Sequence, residues 1–400
     1  MKKRVLVTDT APLYPPRWGG PKRIWNLYSS FPPDLFDITY VGVGNNLGEG
    51  QKYRLNRISD NFKEVLCSLP SHYYLWRILE QRIVKNKHLD LFVYLCMHTD
   101  SQFKYILSAD NTDIIIFSHP WSSLCVQKAD SQFFIYDAHN CEYLLMDRIL
   151  GRHILKKVIL NKVKKIEGDA CKKSNLILVC SEKEKNDFIK LYNVKQDKII
   201  IVPNGANPKM QDSANKKLCR NKLSISLSDK IIFFVGAYYK PNIDSARFII
   251  EKLSAELSEF VFLISGSVSH FFKPNVMPKN VRLLEEIDDA DLDAAFRSAD
   301  IAINPMFDGS GINIKMLDYM SYGLPIVTTQ VGARGIETFC KQPMAISSVD
   351  KFSENIKIID EDVKLYKRMS EDGRSLITDY YNWKLISKQL QEDIIKRSGQ

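Results

Sequence analysis

Short apolar runs alternate with amphipathic stretches through most of the chain. In the first half, six of these runs have the length and composition of buried strands: residues 5–8, 36–43, 91–96, 113–118, 133–139 and 176–181. Amphipathic segments of helical spacing separate several of them. Because this alternation is typical of parallel β-α-β units with both sheet faces covered, it predicts an α/β fold.

The alternation stops near residue 205 and then starts again. Residues 199–208 end in a turn, and the lysine-rich stretch up to Lys222 resembles a linker. Five further runs predict strands, at residues 231–236, 260–265, 281–284, 300–305 and 324–329, and helices alone follow from about residue 352. We therefore expect two Rossmann-like, doubly wound domains facing across a cleft, residues 1–205 and 206–379, with a C-terminal helix of about 380–400 packed on the first.

Composition narrows the class of protein. The chain of 400 residues is 45% hydrophobic and 26% charged, which excludes a disordered tail, a collagen and a coiled-coil rod. No apolar run approaches the roughly 18 residues that span a bilayer. The basic start at Met1 to Arg4 resembles a signal peptide, but the apolar run after it breaks at Thr8. None of the eight cysteines forms a C-x-x-C pair. We expect a cytoplasmic protein with buried, reduced cysteines.

The net charge of +9 lies entirely in the first half, because residues 201–400 sum to zero. The strongest cluster is in residues 148–167, where apolar residues fall near helical spacing among lysines. The favoured interpretation is one core-packed helix with a solvated basic face. The alternative is contact with anionic lipid or with a phosphate-bearing acceptor, since each basic residue near such a surface contributes about 1 kcal/mol.

Candidate site residues follow the strands of the first half. Gly19 and Gly20 allow close approach to a ligand at a helix start, where free amides attract phosphate, but a structural turn explains them equally well. Basic side chains flank these glycines at Arg17, Lys22 and Arg23. His119, His139, Asn140 and Glu142 come just after predicted strands, at the edge where open parallel sheets bind ligands.

The segment from Asn304 to Glu337 carries the strongest signal in the second half. Asp308-Gly309-Ser310-Gly311 forms a flexible loop before a helix, and Gly332 and Gly335 form another close-approach loop. Lys315 and Asp318, three residues apart, share one helix face. Together these residues can place amides and a lysine against a diphosphate, with Asp318 accepting hydrogen bonds from sugar hydroxyls.

Several other motifs are excluded. Residues 42–48 space their glycines wrongly for a dinucleotide fingerprint, and no P-loop, H-E-x-x-H or G-x-S-x-G motif occurs. The aspartates at 289, 291 and 293 resemble a metal motif, but they fall where a helix is expected to begin. We therefore interpret these aspartates as structural.

With these residues identified, the chain resembles the GT-B glycosyltransferases, specifically the retaining family 4, also called glycosyl transferases group 1. The similarity covers nearly the whole length and rests on GG-x-x-R at 19–23, HN-x-E at 139–142, VCSEKE at 179–184, VPNG at 202–205, VGAYYKPNIDSA at 235–246 and the donor signature at 309–336.

This resemblance implies transfer of a sugar from a nucleotide-activated donor with retention, without a cofactor or a metal. The first domain then holds the acceptor and the second holds the donor. His139, Lys315 and Asp318 are the implied catalytic residues. The implied donor-binding residues are Gly19, Gly20, Arg23, Gly236, Lys240, Asp308, Gly309, Ser310, Gly311, Asn313 and Gly332. Arg17, His119 and Asn140 are candidates on the acceptor side.

Three positions depart from the family pattern. Ser310 stands where the first glutamate of the E-x7-E motif is expected, with Asp308 as a nearby replacement, and Asp318 stands at the second. Ala237 occupies the position of a phosphate-binding arginine, for which Lys240 is a nearby substitute.

We therefore expect a glycosyltransferase acting in glycan or cell-surface polysaccharide biosynthesis. Its partners are a nucleotide diphosphate sugar, a glycan or lipid-linked acceptor and, through the basic first half, an anionic membrane surface on the cytoplasmic side. Nucleic acid is not expected. The alternative is a non-catalytic GT-B-like protein that binds a nucleotide sugar or a partner, and a GT-B epimerase fits less well.

Overall fold

The computed structural model divides the chain into two compact units, Met1–Pro203 with Lys384–Gln400 (unit 1) and Asn204–Trp383 (unit 2). It describes residues 2–16, 18–44, 47, 51–68, 78, 104, 106, 111–126, 131–210, 213–285, 287–309 and 311–399. None of the helices within these ranges is long and apolar enough to cross a membrane.

Unit 1 is built on one eight-stranded sheet among its described residues. The strands are β1 (Lys3–Thr8), β2 (Phe36–Gly44), β3 (Tyr53–Ser59), β4 (Phe62–Ser68), β5 (Ile114–Phe117), β6 (Phe133–Asp137), β7 (Leu176–Val179) and β8 (Ile199–Ile201). Their order is β3-β4-β2-β1-β5-β6-β7-β8, and only the β3–β4 pair is antiparallel. Strands β5, β6 and β7 are almost entirely buried, as expected for a parallel sheet covered on both faces.

Five of the six strands predicted in this half are confirmed, and the sixth, at 91–96, lies outside the described residues. Three strands were not predicted, namely β3, β4 and β8. The residues of β3 are mostly exposed at the edge of the sheet, so this strand lacks the apolar run that marks a buried one.

The described helices of unit 1 follow its strands. They are α1 (Gly19–Tyr28), α2 (Glu142–Leu150), α3 (Lys156–Lys173), α4 (Glu182–Tyr192) and, from the C-terminal segment, α11 (Trp383–Ser398), which begins at the last residue of unit 2. A capping box starts α4: Ser181 accepts the amide of Glu184, and the Glu184 carboxylate accepts the amide of Cys180. The C-terminal helix is fixed by the Ser387 hydroxyl, which donates to the Leu27 carbonyl at 2.6 Å.

The basic segment 148–167 is not the single helix that its spacing predicts. Helix α2 ends at Leu150, and Gly151, with φ of 49°, turns the chain before α3 begins at Lys156. Leu160, Val163 and Ile166 are buried as expected. Ile154 and Val158, which the continuous helix would have buried, are exposed instead.

Unit 2 contains a fully parallel six-stranded sheet. Its strands are β9 (Lys230–Val235), β10 (Phe260–Ser265), β11 (Val281–Leu284), β12 (Ile301–Asn304), β13 (Ile326–Thr328) and β14 (Met344–Ile346), in the order β11-β10-β9-β12-β13-β14. Its helices are α5 (Ser213–Lys222), α6 (Lys240–Phe248, continuing as a π-turn), α7 (Asp289–Ser298), α8 (Ile314–Ser321), α9 (Phe352–Glu361) and α10 (Val363–Asp379). All five predicted strands are confirmed. The sixth, β14, has only three residues and was missed.

The prediction of a linker up to Lys222 was wrong, because the last ten residues of that segment, Ser213–Lys222, form α5. The reason lies in Arg220, a buried guanidinium that donates to the Asp300 carboxylate at 2.8 Å and to the Ser298 carbonyl. This contact attaches α5 to the end of α7 and the start of β12. By contrast, the aspartates at 288–293 begin α7 as expected, with Asp288 accepting the amide of Asp291.

Candidate functional site

In unit 1, acidic and histidine side chains meet at the carboxyl edge of the sheet. Asp9 follows β1, His119 follows β5 and His139 follows β6, so neighbouring parallel strands bring them together. The two histidine rings are 4.8 Å apart between centroids. His119 Nδ1 lies 3.0 Å from a carboxylate oxygen of Glu142, and its Nε2 lies 3.8 Å from Asp9. Sequence reasoning found the histidines and Glu142 but missed Asp9.

His139 is the most enclosed member of this cluster, with 8% of its side chain exposed. Its Nε2 has no hydrogen-bond partner among the described residues and lies 3.7 Å from the Asp137 carboxylate. Burial lowers the pKa of His139, and neighbouring His119 adds to this effect, although Asp137 opposes it. We infer a neutral imidazole near pH 7. A methyl group placed on Gly20 would lie 3.7 Å from Nδ1, so α1 begins close to this ring.

A buried ion pair between Arg23 and Asp137 lies beside the His139 ring. Arg23 donates to Asp137 from Nε and Nη2, at 3.1 and 2.8 Å, and to the Val202 carbonyl from Nη1 at 2.9 Å. The Tyr28 hydroxyl donates to the other Asp137 oxygen. Burial alone would raise the pKa of Asp137, but Arg23 and His139 together outweigh burial and hold this pKa below its usual range. Arg23 was predicted to bind donor, and its contacts instead make it a positioning residue.

The start of α1 leaves its first amides uncapped by any side chain. Gly19 and Gly20 are the first two helical residues, and the first turn carries no acidic residue. Such an end can accept an anion. Arg17, predicted nearby, lies outside the described residues. Asn140 is half-buried directly after His139.

A second buried carboxylate lies behind Glu142. Glu167 accepts the amides of Glu142 and Tyr143, at 2.8 and 3.0 Å, and the hydroxyls of Tyr136 and Tyr192. Burial and the Glu142 charge raise the pKa of Glu167 to about 7. These bonds fix the start of α2 and therefore the carboxylate that faces His119. Sequence reasoning missed Glu167, although an acidic residue on the apolar face of a basic helix is a usable signal.

In unit 2, Lys315 is the second residue of α8, and its amine is directed inward. Its Nζ donates to Asn242 Oδ1 at 2.9 Å and lies 4.3 Å from the centroid of the Phe234 ring. Burial lowers the pKa of Lys315 to about 7. Asp318 is half-buried one turn further along the same helix. Since a buried amine without a carboxylate partner is costly, this arrangement favours an anionic ligand.

The glycine loop before α8 is held by a residue that sequence reasoning missed. Arg334 donates to the Gly309 carbonyl at 2.8 Å and to the Gly311 carbonyl at 3.2 and 3.3 Å. Both glycines have positive φ, 149° and 68°, which glycine adopts without strain. Asp308 is exposed and accepts the amide of Gly309, and Ser310 lies outside the described residues.

A second close approach involves Gly332, after β13. A Cβ at this position would lie 2.2 Å from Thr328 Oγ1 and 2.8 Å from the Asn304 carbonyl oxygen. Asn313, just before α8, donates to the Gly332 carbonyl at 3.1 Å. The structure therefore brings together the start of α8 and the loop after β13, as the sequence predicted.

Two further predicted donor residues lie after β9 and at the start of α6. Lys240 has a side chain that is 80% exposed and ion-paired with Asp244 at 2.6 Å. Gly236 follows β9, and its amide donates to the Ser265 carbonyl. A Cβ at this position would lie 3.0 Å from side-chain atoms of Asn242. Within the described residues, no group of three or more His, Cys, Asp or Glu side chains is placed to hold a metal ion.

Residues 229–359 match the family described as glycosyl transferases group 1. An uncharacterized glycosyltransferase of Methanocaldococcus jannaschii is 23% identical over 236 residues, which are 53% of this chain and 58% of that protein. The chain thus aligns with little more than half the length of this relative.

Solved structures match over nearly the whole chain. Sucrose-phosphate synthase of Thermosynechococcus elongatus superposes with a TM-score of 0.74 at 12% identity, covering 99% of both chains. HepE of Anabaena, solved with UDP, gives 0.65 at 10%, covering 99% of this chain and 100% of that one. WaaG, a glycosyltransferase involved in lipopolysaccharide biosynthesis, gives 0.66 at 15%, covering 97% and 99%. The chain therefore has the GT-B fold, and residues 229–359 of its second unit are similar to the glycosyl transferases group 1 family.

Proposed function

We propose that this protein transfers a sugar from a nucleoside diphosphate sugar to an acceptor hydroxyl, with retention of the anomeric configuration. The observation that carries the proposal is the Lys315 amine, enclosed beside Asn242 with no carboxylate partner in the part of the chain that the structure describes. The family match over 229–359 includes both residues. HepE, solved with UDP, supports the class of donor.

Unit 2 is proposed to hold the donor diphosphate. The Lys315 ammonium and the amides at the start of α8 would compensate the charge that develops on the leaving diphosphate, which is electrostatic catalysis. The bound anion would raise the Lys315 pKa again, so that the amine is protonated in the complex. Asp318 would accept hydrogen bonds from the ribose hydroxyls. This arrangement uses fixed protein charge, and we propose that neither a cofactor nor a metal is required.

Unit 1 is proposed to hold the acceptor and to orient the transferred sugar. His139, a neutral imidazole just after β6 whose Nδ1 faces Gly20, is proposed to hydrogen-bond a sugar hydroxyl. The Arg23–Asp137 pair fixes the loop below its ring. In a retaining reaction without a protein nucleophile, the bond from the anomeric carbon to the diphosphate breaks and the acceptor oxygen bonds to that carbon on the same face. The leaving phosphate oxygen takes the acceptor proton. The protein then contributes mainly by positioning the reactants.

The proposed context is synthesis of a glycan or cell-surface polysaccharide on the cytoplasmic side of a membrane. WaaG, involved in lipopolysaccharide biosynthesis, supports this context. A lipid-linked or glycan acceptor is proposed for the same reason.

The first experiment is a thermal-shift panel with UDP, GDP, ADP, CMP and NAD, each with and without EDTA. A ligand at about 100 times its dissociation constant adds roughly 2.7 kcal/mol to the free energy of unfolding. We expect one nucleoside diphosphate to raise the melting temperature, with EDTA having no effect. Lys315→Ala should lose this shift, whereas the exposed Lys240→Ala should keep it. No shift with any diphosphate would contradict donor binding.

The alternative function is nucleotide-sugar binding without turnover. Ala237 at the expected arginine position favours it, because alanine carries no charge and the exposed Lys240 is paired with Asp244, so neither compensates the charge of a diphosphate. Turnover separates the two functions. Release of free nucleotide from the sugar donor that shifts the melting temperature supports the transferase, if Lys315→Ala and His139→Ala abolish it. Binding without release at long incubation, with acceptor glycans supplied, favours the alternative.

A further inference from the structure

A turn in unit 1 exposes three large apolar side chains next to each other along the chain. Ile154 is 92% exposed, Leu155 38% and Val158 68%. The backbone here is ordered by hydrogen bonds from Lys156 to the His153 carbonyl and from Ile159 to the Leu155 carbonyl. Exposed apolar residues that occur singly need no explanation, whereas adjacent ones mark an interaction surface.

Basic side chains surround this apolar tip. Between residues 147 and 165 the chain carries seven lysines and arginines against one carboxylate, Asp147, which pairs with Lys156 at 2.9 Å. The exposed members are Arg148, Arg152, Lys157, Lys162, Lys164 and Lys165. We call residues 148–165 the basic turn.

The first turns of α3 present apolar and basic side chains on one exposed face. Val158, Lys162 and Lys165 are spaced by four and three residues and are all exposed, so they form one outward stripe. The opposite stripe, Leu160, Val163 and Ile166, is buried in the core of unit 1. The outward stripe therefore begins with an apolar residue next to the exposed Ile154 and continues with lysines.

This combination favours a lipid surface over a nucleic acid. Phosphates of either partner can pair with the lysines, but only a bilayer gains free energy from burying Ile154, Leu155 and Val158. Apolar side chains backed by a basic face are the typical anchor of proteins that lie on anionic membranes.

We propose that the basic turn docks unit 1 onto an anionic bilayer, with Ile154, Leu155 and Val158 inserted at the headgroup level and the surrounding lysines facing the lipid phosphates. Because only three apolar side chains insert, binding is reversible. Because the lysines attract the lipid phosphates through exposed charges, salt weakens the binding. The proposal goes beyond sugar transfer and does not rest on it, because no donor-binding residue belongs to the basic turn.

The test is sedimentation of the full chain with phosphatidylcholine vesicles that contain phosphatidylglycerol, against vesicles of phosphatidylcholine alone. We expect binding only to the anionic vesicles, and loss of binding in high salt. Ile154→Glu with Val158→Glu should lower the partition coefficient at least about tenfold, since two inserted apolar groups are replaced by charges that the surface repels. Both positions are exposed, so the melting temperature should not change.

Leu218→Glu is the matched control. This residue is 65% exposed on α5, a lysine-bearing helix of unit 2, and its substitution should leave vesicle binding unchanged. Lys162→Gln with Lys165→Gln should weaken binding roughly fivefold for each lysine removed. The proposal is overturned if the anionic vesicles do not sediment the protein, or if the glutamate pair binds as well as the wild type. Equal binding to neutral vesicles, or an equal loss in Leu218→Glu, also overturns it.

Discussion

Replacing Lys315 with methionine should stabilise unit 2 while abolishing nucleotide binding. Methionine keeps the unbranched stem and places a sulfur over the Phe234 ring, where the Lys315 amine now lies 4.3 Å from the centroid. It removes the amine whose burial lowers the pKa from its ordinary value of 10.5 to about 7. Functional residues are commonly retained at such a cost in stability.

The magnitude follows from the pKa and from one hydrogen bond. A pKa lowered by about 3.5 corresponds to roughly 5 kcal/mol of destabilisation below about pH 7, where the amine is protonated in both the folded and the unfolded chain. Against this, the variant leaves the buried Asn242 Oδ1 without its 2.9 Å donor, which costs about 1–3 kcal/mol. We therefore expect a net gain of about 2–4 kcal/mol in the free energy of unfolding.

The effect has a defined pH window. Between about pH 7 and pH 10.5, the unfolded wild-type chain binds a proton at Lys315 that the folded chain does not, so wild-type stability rises with pH. The advantage of Lys315→Met is therefore complete below about pH 7 and shrinks by about 1.4 kcal/mol per pH unit above it.

The assay is thermal unfolding of the wild type and the variant at several pH values from about 6.5 to 9.5, where each kcal/mol shifts the midpoint by roughly 2–4 °C for a unit of this size. Lys240→Met, at an exposed position, is the control and should change stability by less than about 0.5 kcal/mol at every pH. A variant that melts below the wild type at the acidic end, or a gap that does not narrow as pH rises, refutes the reasoning.

Three further predictions concern the residues around the two candidate sites. Arg334→Ala should remove the hydrogen bonds to the Gly309 and Gly311 carbonyls and weaken nucleotide binding, measured by calorimetry, about tenfold, and Arg334→Lys should recover part of the affinity. Unchanged affinity would show that the loop keeps its conformation without Arg334. Gly332→Ala should lower the stability of unit 2 by about 1–3 kcal/mol, because its Cβ overlaps neighbouring atoms, and a wild-type melting temperature would contradict this. Asp137→Asn should cost about 3–5 kcal/mol in the unfolding of unit 1, since it leaves a buried guanidinium unpaired, and a near-neutral result would indicate that other groups satisfy it.

Local sequence patterns predicted the elements that lie in the two cores. Strands such as Ile114–Phe117 and Phe260–Ser265 are buried on both faces, so their apolar runs identify them without any knowledge of their neighbours. The edge strand Tyr53–Ser59 and the three-residue strand Met344–Ile346 have no such run. Their pairing depends on the strands beside them, which local periodicity does not record.

The residues of the candidate site divide in the same way. The glycines at 309, 311 and 332 and the lysine at 315 were predicted from spacing, because close backbone approach and helix position are local properties. The roles of Asp137, Arg334 and Glu167 were not predicted.

By itself, the sequence determined the α/β class and the buried strands of the two sheets. Only the tertiary structure decided which charges became buried partners, as in Arg23–Asp137, and which apolar residues stayed in water, as in Ile154. The physical reason is that burial and ion pairing depend on contacts between residues far apart in the chain. The turn at Gly151 interrupts the predicted helix and leaves Ile154 and Val158 exposed, while Leu160, Val163 and Ile166 are buried as expected.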